Sequence, residues 1–352
     1  MHRYIALDTH THTCLLVVMG SRGERLHRQI VETNGSALIP VIRGIPRPRH
    51  LVFEEGTQSS WLYELLKPEV DECVVAIPEK RKNESKADEA DAWDLAEKLR
   101  TNAVKRKVFK GQGVFGPLRD SVRGHSMVTR DLVRVKNRLK AVYRSRGLHG
   151  MGTEVYTPGE RGAWLRQLPG GHRELADMLG RECDCLEALR EEAEERLLQE
   201  ARKHPITAKL ITAPAIGPIR AAHIVAIVMT PHRFRTKHQF WQYCGLGVTT
   251  TVSAQWKVDA NGKFVRAKEP MPRGLNRNHN PALKEIFKGA AHQIACNMTS
   301  HPLHYEYQRM VREGTKPEIA QVNLARHISA AVLSMWKHGE VYDQARVRTQ
   351  KA

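Results

Sequence analysis

Asp8 closes the first apolar run of the chain, and Glu54 with Glu55 closes a later one, His50 to Phe53. Carboxylates at the ends of core strands repel one another and lose solvation, so a group of them persists where a divalent cation compensates. Asp88 and Asp91 follow in a segment predicted to be helical, at a spacing of three that puts both on one face. Together these are the hard oxygen ligands that displacement at a phosphodiester requires, holding two Mg²⁺ ions about 4 Å apart. A second set of residues suits phosphate rather than metal. Ala215-Ile216-Gly217-Pro218 reads as the turn of a helix-hairpin-helix, whose backbone N–H groups at Gly217, with Arg220 beyond, fit a nucleic-acid phosphate. Arg266, Lys268, Arg273, Arg277, Lys284 and Lys288 extend the basic character with little acid among them. Trp241 and Tyr243 offer planes for bases, but packing in the core is the reading preferred for both.

The elements that must position the acids are strands first. Tyr4–Leu7, Cys14–Met19 and Arg25–Ile30 are β-like, with Gly20-Ser21-Arg22-Gly23 as a hairpin turn between the second and third. A helix over Ser36–Ile42, a buried strand over His50–Phe53, a helix over Ser59–Leu66, a strand over Cys73–Ile77 and a helix over Lys86–Leu99 follow. Three antiparallel strands, then alternating strand and helix, give a mixed α/β sheet with a parallel half, in the order of the ribonuclease H-like fold.

Past this sheet, Val128, Leu132, Val135, Leu139 and Val142 mark a heptad seam in a basic segment. An acidic helix over His172–Lys203 carries a second seam through Leu175, Leu179, Leu186, Leu189 and Ala193, and the two are expected to pair. From His204 the chain reads as small residues, turns and further helices, with a hairpin turn at Asn261-Gly262 and a polar basic segment running to Asn280.

Over 352 residues the formal net charge is +18, which points to a polyanionic partner. No run approaches the roughly 20 apolar residues of a membrane span, and the chain enters a strand at once without a signal-peptide pattern. The expected location is the bacterial cytoplasm, beside the nucleoid. The six cysteines include no Cys-x-x-Cys pair and are expected to be free thiols, mostly buried. No Gly-rich phosphate loop follows Asp8, which argues against an actin-like ATPase on the same topology.

Leu7-Asp8-Thr9, Val52-Phe53-Glu54-Glu55-Gly56 with Trp61-Leu62, and Lys86-Ala87-Asp88-Glu89-Ala90-Asp91-Ala92 together resemble the four-acid motif of the DEDD transposases. These are insertion-sequence recombinases related to the Piv-type DNA invertases, some of them guided by a bridge RNA. The resemblance continues through Ala215–Pro218, Tyr243-Cys244-Gly245-Leu246-Gly247, Thr249 to Ser253-Ala254, Arg273-Gly274-Leu275-Asn276-Arg277-Asn278 and Leu283-Lys284. It departs at Ala254, where the family more often has Gly.

The resemblance implies an α/β RNase H-like (RuvC-like) nuclease domain over 1–115 and an α-helical coiled-coil insertion over 116–203. A mainly α C-terminal transposase domain with the helix-hairpin-helix is implied over 204–352. It makes Asp8, Glu54, Asp88 and Asp91 the Mg²⁺ ligands, Glu54 ahead of Glu55, and Ser253 a nucleophile that forms a covalent phosphoserine link to a DNA end. Thr249, Thr250 and Thr251 offer neighbouring hydroxyls. The implied partners are donor and target double-stranded DNA, a structured guide RNA and further copies of the chain, as homodimer or homotetramer. The alternative is a Mg²⁺-dependent hydrolytic nuclease or junction resolvase that forms no covalent intermediate.

Overall fold

Alternation of side chains across a strand explains why Ile5 and Leu7 serve one core while Ala6 serves another. In the computed structural model these residues lie in β1 (Arg3–Thr9), followed by β2 (Thr13–Met19), β3 (Arg25–Glu32), α1 (Gly35–Gly44), β4 (Arg49–Glu54), α2 (Ser59–Leu66), β5 (Glu72–Ala76) and α3 (Asp88–Arg100). The structure describes residues 1–78, 88–108, 113–251, 256–266 and 271–344, with backbone alone for Asp88, Thr251 and Arg266. The chain divides into two units, Met1–Gly113 and Val114–Ala352.

In the first unit one five-stranded sheet runs in the order β3-β2-β1-β4-β5. Strands β1, β2 and β3 pair antiparallel, whereas β1–β4 and β4–β5 pair parallel, as expected. The β2–β3 turn closes with Gly23 at φ +86°, a conformation that favours glycine. Leu38, Ile42, Leu62 and Leu66 of α1 and α2 cover the face carrying Ile5, Leu7, Leu51 and Phe53. Ala92, Leu95, Ala96 and Leu99 of α3 cover the other, against Ala6, Val17, Val52 and Val74. The Asn34 side chain caps α1 by accepting from the Ala37 N–H at 2.8 Å. Residues 86 and 87, where the helix ending in α3 was expected to start, lie outside the described residues.

The second unit begins with α4 (Gly116–Arg144), α5 (Arg161–Leu165) and α6 (Gly170–Arg202). Leu118 clusters with Leu197 and Ala201, while Leu132, Val135, Leu139 and Tyr143 cluster with Ala176, Leu179 and Cys183, so α4 and α6 run antiparallel. Lys136 joins Glu187 across them at 3.2 Å. The expected seams shift. Leu175 and Leu189 are 42% and 50% exposed, and the buried stripe of α6 runs instead through Ala176, Leu179, Cys183 and Leu197. Arg161 explains the shift: its Nη1 donates to Asp184 Oδ1 at 3.0 Å, and a Cβ on Gly180 would meet Nη1 at 2.8 Å. Small residues therefore face the core at that level, and the larger leucines turn out. On α4, Val128 and Val142 are only half-buried, with His125 and Tyr143 buried beside them.

There follow α7 (Pro205–Leu210), α8 (Pro218–Val228), α9 (Lys237–Tyr243), β6 (Val248–Thr251), β7 (Trp256–Val258), β8 (Phe264–Arg266), β9 (Met271–Leu275), α10 (Pro281–Asn297), α11 (Pro302–Arg312) and α12 (Pro317–His338). Strand β6 pairs with β9 and β7 with β8, both antiparallel. The segment expected to be merely polar up to Asn280 thus holds two short strands. Ile224, Phe240, Phe287, Leu324 and Ile328 are among the residues that make these helices one core. Of the cysteines, Cys14, Cys183 and Cys244 are buried and Cys73 half-buried, but Cys185 and Cys296 are exposed. Among the described residues no helix is long and apolar enough to cross a membrane.

The α4–α8 contact sets two imidazoles edge to face, the buried His125 and the half-buried His223, with ring centroids 5.7 Å apart. His125 Nδ1 and His223 Nε2 have no hydrogen-bond partner among the described residues. Burial, and secondarily His125, pushes the pKa of His223 down to about 4; burial also lowers that of His125, opposed by the Glu194 charge of α6 and reinforced by that of Arg190. Both rings bind a proton more readily in the unfolded chain, so stability holds above pH 6.5 and falls as pH drops from 6.5 towards 4. For His223 alone the loss is about 3 kcal/mol. Urea midpoints at pH 7.5 and 4.5 should converge by roughly that amount in His223→Phe; an acid loss equal to the parent's contradicts this.

Candidate active site and nucleic-acid interface

The register of β1 and β4, ending at Leu7↔Phe53, brings Asp8 and Glu54 to the same ends of neighbouring parallel strands. By parity with Ala6 and Val52 both acids lie on the α3 face of the sheet. The α3 helix runs antiparallel to β1. At its C-terminal end Arg100 Nη1 donates to the Ser21 carbonyl, in the turn beside the start of β1, at 3.3 Å. At its N-terminal end Glu89 pairs with Arg28 at 3.0 Å, further along the sheet. The first turn of α3, with Asp88 and a half-buried Asp91, therefore points to the end where Asp8 and Glu54 sit. Asp8 is half-buried with Oδ2 3.4 Å from His10 Nε2, while Glu54 is exposed. Among the described residues no three His, Cys, Asp or Glu side chains are grouped so as to hold a metal, and the Asp88 side chain lies outside that set. His10 is marked in the sequence by position alone, two residues past a strand-end acid.

In the second unit the hairpin between α7 and α8 contains Ala215 at φ +56° and Gly217 as the extended residue before α8. Pro218 has no N–H to leave unpaired, and the N–H groups of Gly217, Ile219 and Arg220 donate to no carbonyl among the described residues. They border an open cleft of about 580 Å³, lined also by Gln293 and Met298. Arg220 spans this cleft. Its Nη1 donates to the Ala215 carbonyl at 2.6 Å and to Gln293 at 2.9 Å, tying the hairpin to α10. Burial lowers its pKa from the usual guanidinium value.

The Gly245-Leu246-Gly247 loop is pinned from two sides. Arg326 of α12 donates to the Leu246 carbonyl at 2.8 Å and the Asn276 N–H to the Gly247 carbonyl at 2.8 Å, while Asn276 Nδ2 donates to the flanking carbonyls of Gln242 at 3.0 Å and Asn278 at 2.8 Å. Gly245 has φ +67°, and a Cβ there would meet the His279 ring at 2.5 Å. Thr249 Oγ1 is likewise engaged, donating to the Gly274 carbonyl at 3.1 Å. Ser253 and Lys268 lie outside the described residues, as does the Arg266 side chain. Arg273, Arg277 and Lys288 are exposed and Lys284 is half-buried; none of the four pairs with a carboxylate among the described residues. Trp241 donates to the Arg326 carbonyl at 3.1 Å and packs with Tyr243 against the core, as expected.

Asn276 tests this loop without altering its shape. Asn276→Asp keeps the Oδ1 acceptor for the Asn278 N–H but sets a carboxylate oxygen against two carbonyls, with an expected cost of about 2 kcal/mol. A urea midpoint unchanged from the parent's contradicts the role given to Asn276.

Strand-end carboxylates thus lie in one unit, and the other bears a loop-and-helix surface whose cations Arg273, Arg277, Lys284 and Lys288 pair with no carboxylate among the described residues. Residues 207–307, from the hairpin through α10 into α11, match the family described as Transposase IS116/IS110/IS902 family. The match supports a transposase assignment, a DNA transposase or recombinase activity, and DNA as the substrate. No curated protein matches the chain.

Proposed function

We propose that the chain excises and inserts an insertion-sequence element by metal-assisted DNA strand cleavage, and rejoins the strands through a covalent phosphoserine at Ser253, under the guidance of an RNA. The observation that carries the catalytic half is the β1–β4 register, which seats Asp8 and Glu54 side by side. The strand order β3-β2-β1-β4-β5 supports reading the first unit as RNase H-like. The donor set fits Mg²⁺ in kind: carboxylate oxygens from Asp8, Glu54, Asp88 and Asp91, with two strand ends and one helix start directed to one end of the sheet. Bound there, the ion would supply charge for the leaving oxygen and a lowered pKa for the attacking group.

The protein's own residues do the rest. Ser253 supplies the hydroxyl oxygen that bonds to phosphorus as one P–O bond of the DNA breaks; the departing DNA oxygen takes up a proton in place of the one the serine loses and leaves as a free hydroxyl end, and the number of phosphodiester linkages is conserved for rejoining. Gly217, Arg273, Arg277, Lys284 and Lys288 would hold the DNA by its phosphates, with Arg266 and Lys268 beside them in sequence. Exposed Leu175, Met178 and Leu189 along α6 support self-association as a dimer or tetramer.

Labelled DNA carrying the element's ends, incubated with protein and Mg²⁺ and quenched in detergent, should give a labelled species that migrates with protein and collapses on protease digestion. Nicked DNA with no such species would replace the phosphoserine with direct hydrolysis.

A further inference from the structure

Trp256, Val258 and Phe264 share one face of the β7–β8 ribbon. The register Trp256↔Arg266 and Val258↔Phe264 aligns them, since residues directly opposite in a pair project to the same side. Their exposures are 60%, 57% and 73%, whereas Val265 on the other side is half-buried. The ribbon thus turns its apolar face to solvent. Its turn is built firmly: Asp259 accepts from the N–H groups of Asn261 and Lys263, both at 2.9 Å, and Gly262 takes φ +76°. Asp259 is the ribbon's one acid, against Lys257, Lys263 and Arg266.

A two-stranded ribbon is marginal in water, and an aromatic side chain carries 150 Å² or more of surface that proteins normally bury (about 150–250 Å²). Aromatic planes on one side of a ribbon whose other side carries Lys257 and Lys263 complement a polyanion whose π faces are open. A paired duplex hides its base faces; an unpaired strand presents them.

We propose that the β7–β8 ribbon binds unpaired DNA bases, stacking them on Trp256 and Phe264 while its lysines meet the flanking phosphates. The inference rests on DNA as the substrate and deepens the recombinase reading. Trp256 follows Ser253 by three residues, a stretch of chain that spans at most about 11 Å. The stacked bases would lie within a few nucleotides of the phosphate that Ser253 attacks, where strands must part before they are exchanged.

The test is a fluorescence-anisotropy titration of the full-length chain with a 20-nucleotide oligo(dT), the matching duplex, and phosphatidylglycerol vesicles. Trp256→Ala/Phe264→Ala should weaken oligo(dT) binding at least about tenfold with the parent's salt dependence, as stacking contributes about 1–3 kcal/mol per base. Lys257→Ala/Lys263→Ala should weaken oligo(dT) and duplex alike and flatten the salt dependence. Trp256→Phe should remove the indole emission quenched by oligo(dT) yet keep most of the affinity. All three variants change exposed positions, so their urea midpoints should match the parent's. Equal oligo(dT) affinity in parent and double-alanine variant overturns the proposal. So does a double-alanine variant that loses vesicle binding or self-association but keeps oligo(dT). Oligo(dT) binding needs neither Asp8 nor Ser253, so this titration and an excision assay fail independently.

Discussion

Asp8→Asn is expected to lower DNA strand cleavage by about a thousandfold or more, with DNA affinity and the urea midpoint close to the parent's. The change is isosteric and keeps one carbonyl oxygen, but it removes the charge that would attract a divalent ion. Asp8 is half-buried at the end of β1, next to β4 and its Glu54, and the apolar residues holding β1 in place precede it. Those apolar contacts do not involve the carboxylate, whose Oδ2 lies 3.4 Å from His10 Nε2. Cleavage of labelled DNA across a Mg²⁺ series separates the causes. A weakened ion site shifts the Mg²⁺ midpoint upward, whereas a purely structural carboxylate leaves rate and midpoint alone. Parental activity in Asp8→Asn would remove the strand-end acids from the chemistry.

Ser253→Ala should reduce covalent protein–DNA product and rejoining by on the order of 10⁴-fold or more, since loss of a nucleophile leaves only binding and charge stabilisation. DNA affinity should hold. Of the neighbouring hydroxyls, Thr249 is tied to the Gly274 carbonyl, so Thr249→Val should disturb the β6–β9 pairing before it disturbs chemistry. Protein–DNA product persisting in Ser253→Ala and vanishing in Thr250→Val would move the nucleophile to Thr250.

Much of the first unit was legible in the sequence, because its strands carry continuous apolar runs broken by turn residues, and strand ends fix where Asp8 and Glu54 must fall. The α6 stripe was not. The expected and observed stripes share Leu179, and Arg161, distant in sequence, lies across Gly180 and reserves that level of the helix for a residue without a side chain. The ribbon and β9 were hidden for another reason: their residues are exposed and basic, so no apolar alternation marks them, and only the Asn261-Gly262 turn could be read. The clamp formed by the Asn276 N–H and Arg326 on the Gly245–Gly247 loop joins residues some 30 to 80 positions apart; nothing local in the sequence signals such a pairing. Composition alone pointed to a polyanion, and the surface bears four cations without carboxylate partners among the described residues.

The most direct test of the account is a junction-PCR assay in cells carrying this gene with its flanking DNA, comparing the parent with Asp8→Asn and Ser253→Ala for the circular junction left by excision. The account predicts a junction product from the parent and none from either variant. A junction that survives in Ser253→Ala contradicts the phosphoserine step, and one that survives in Asp8→Asn contradicts the metal-assisted site on which the whole reading stands.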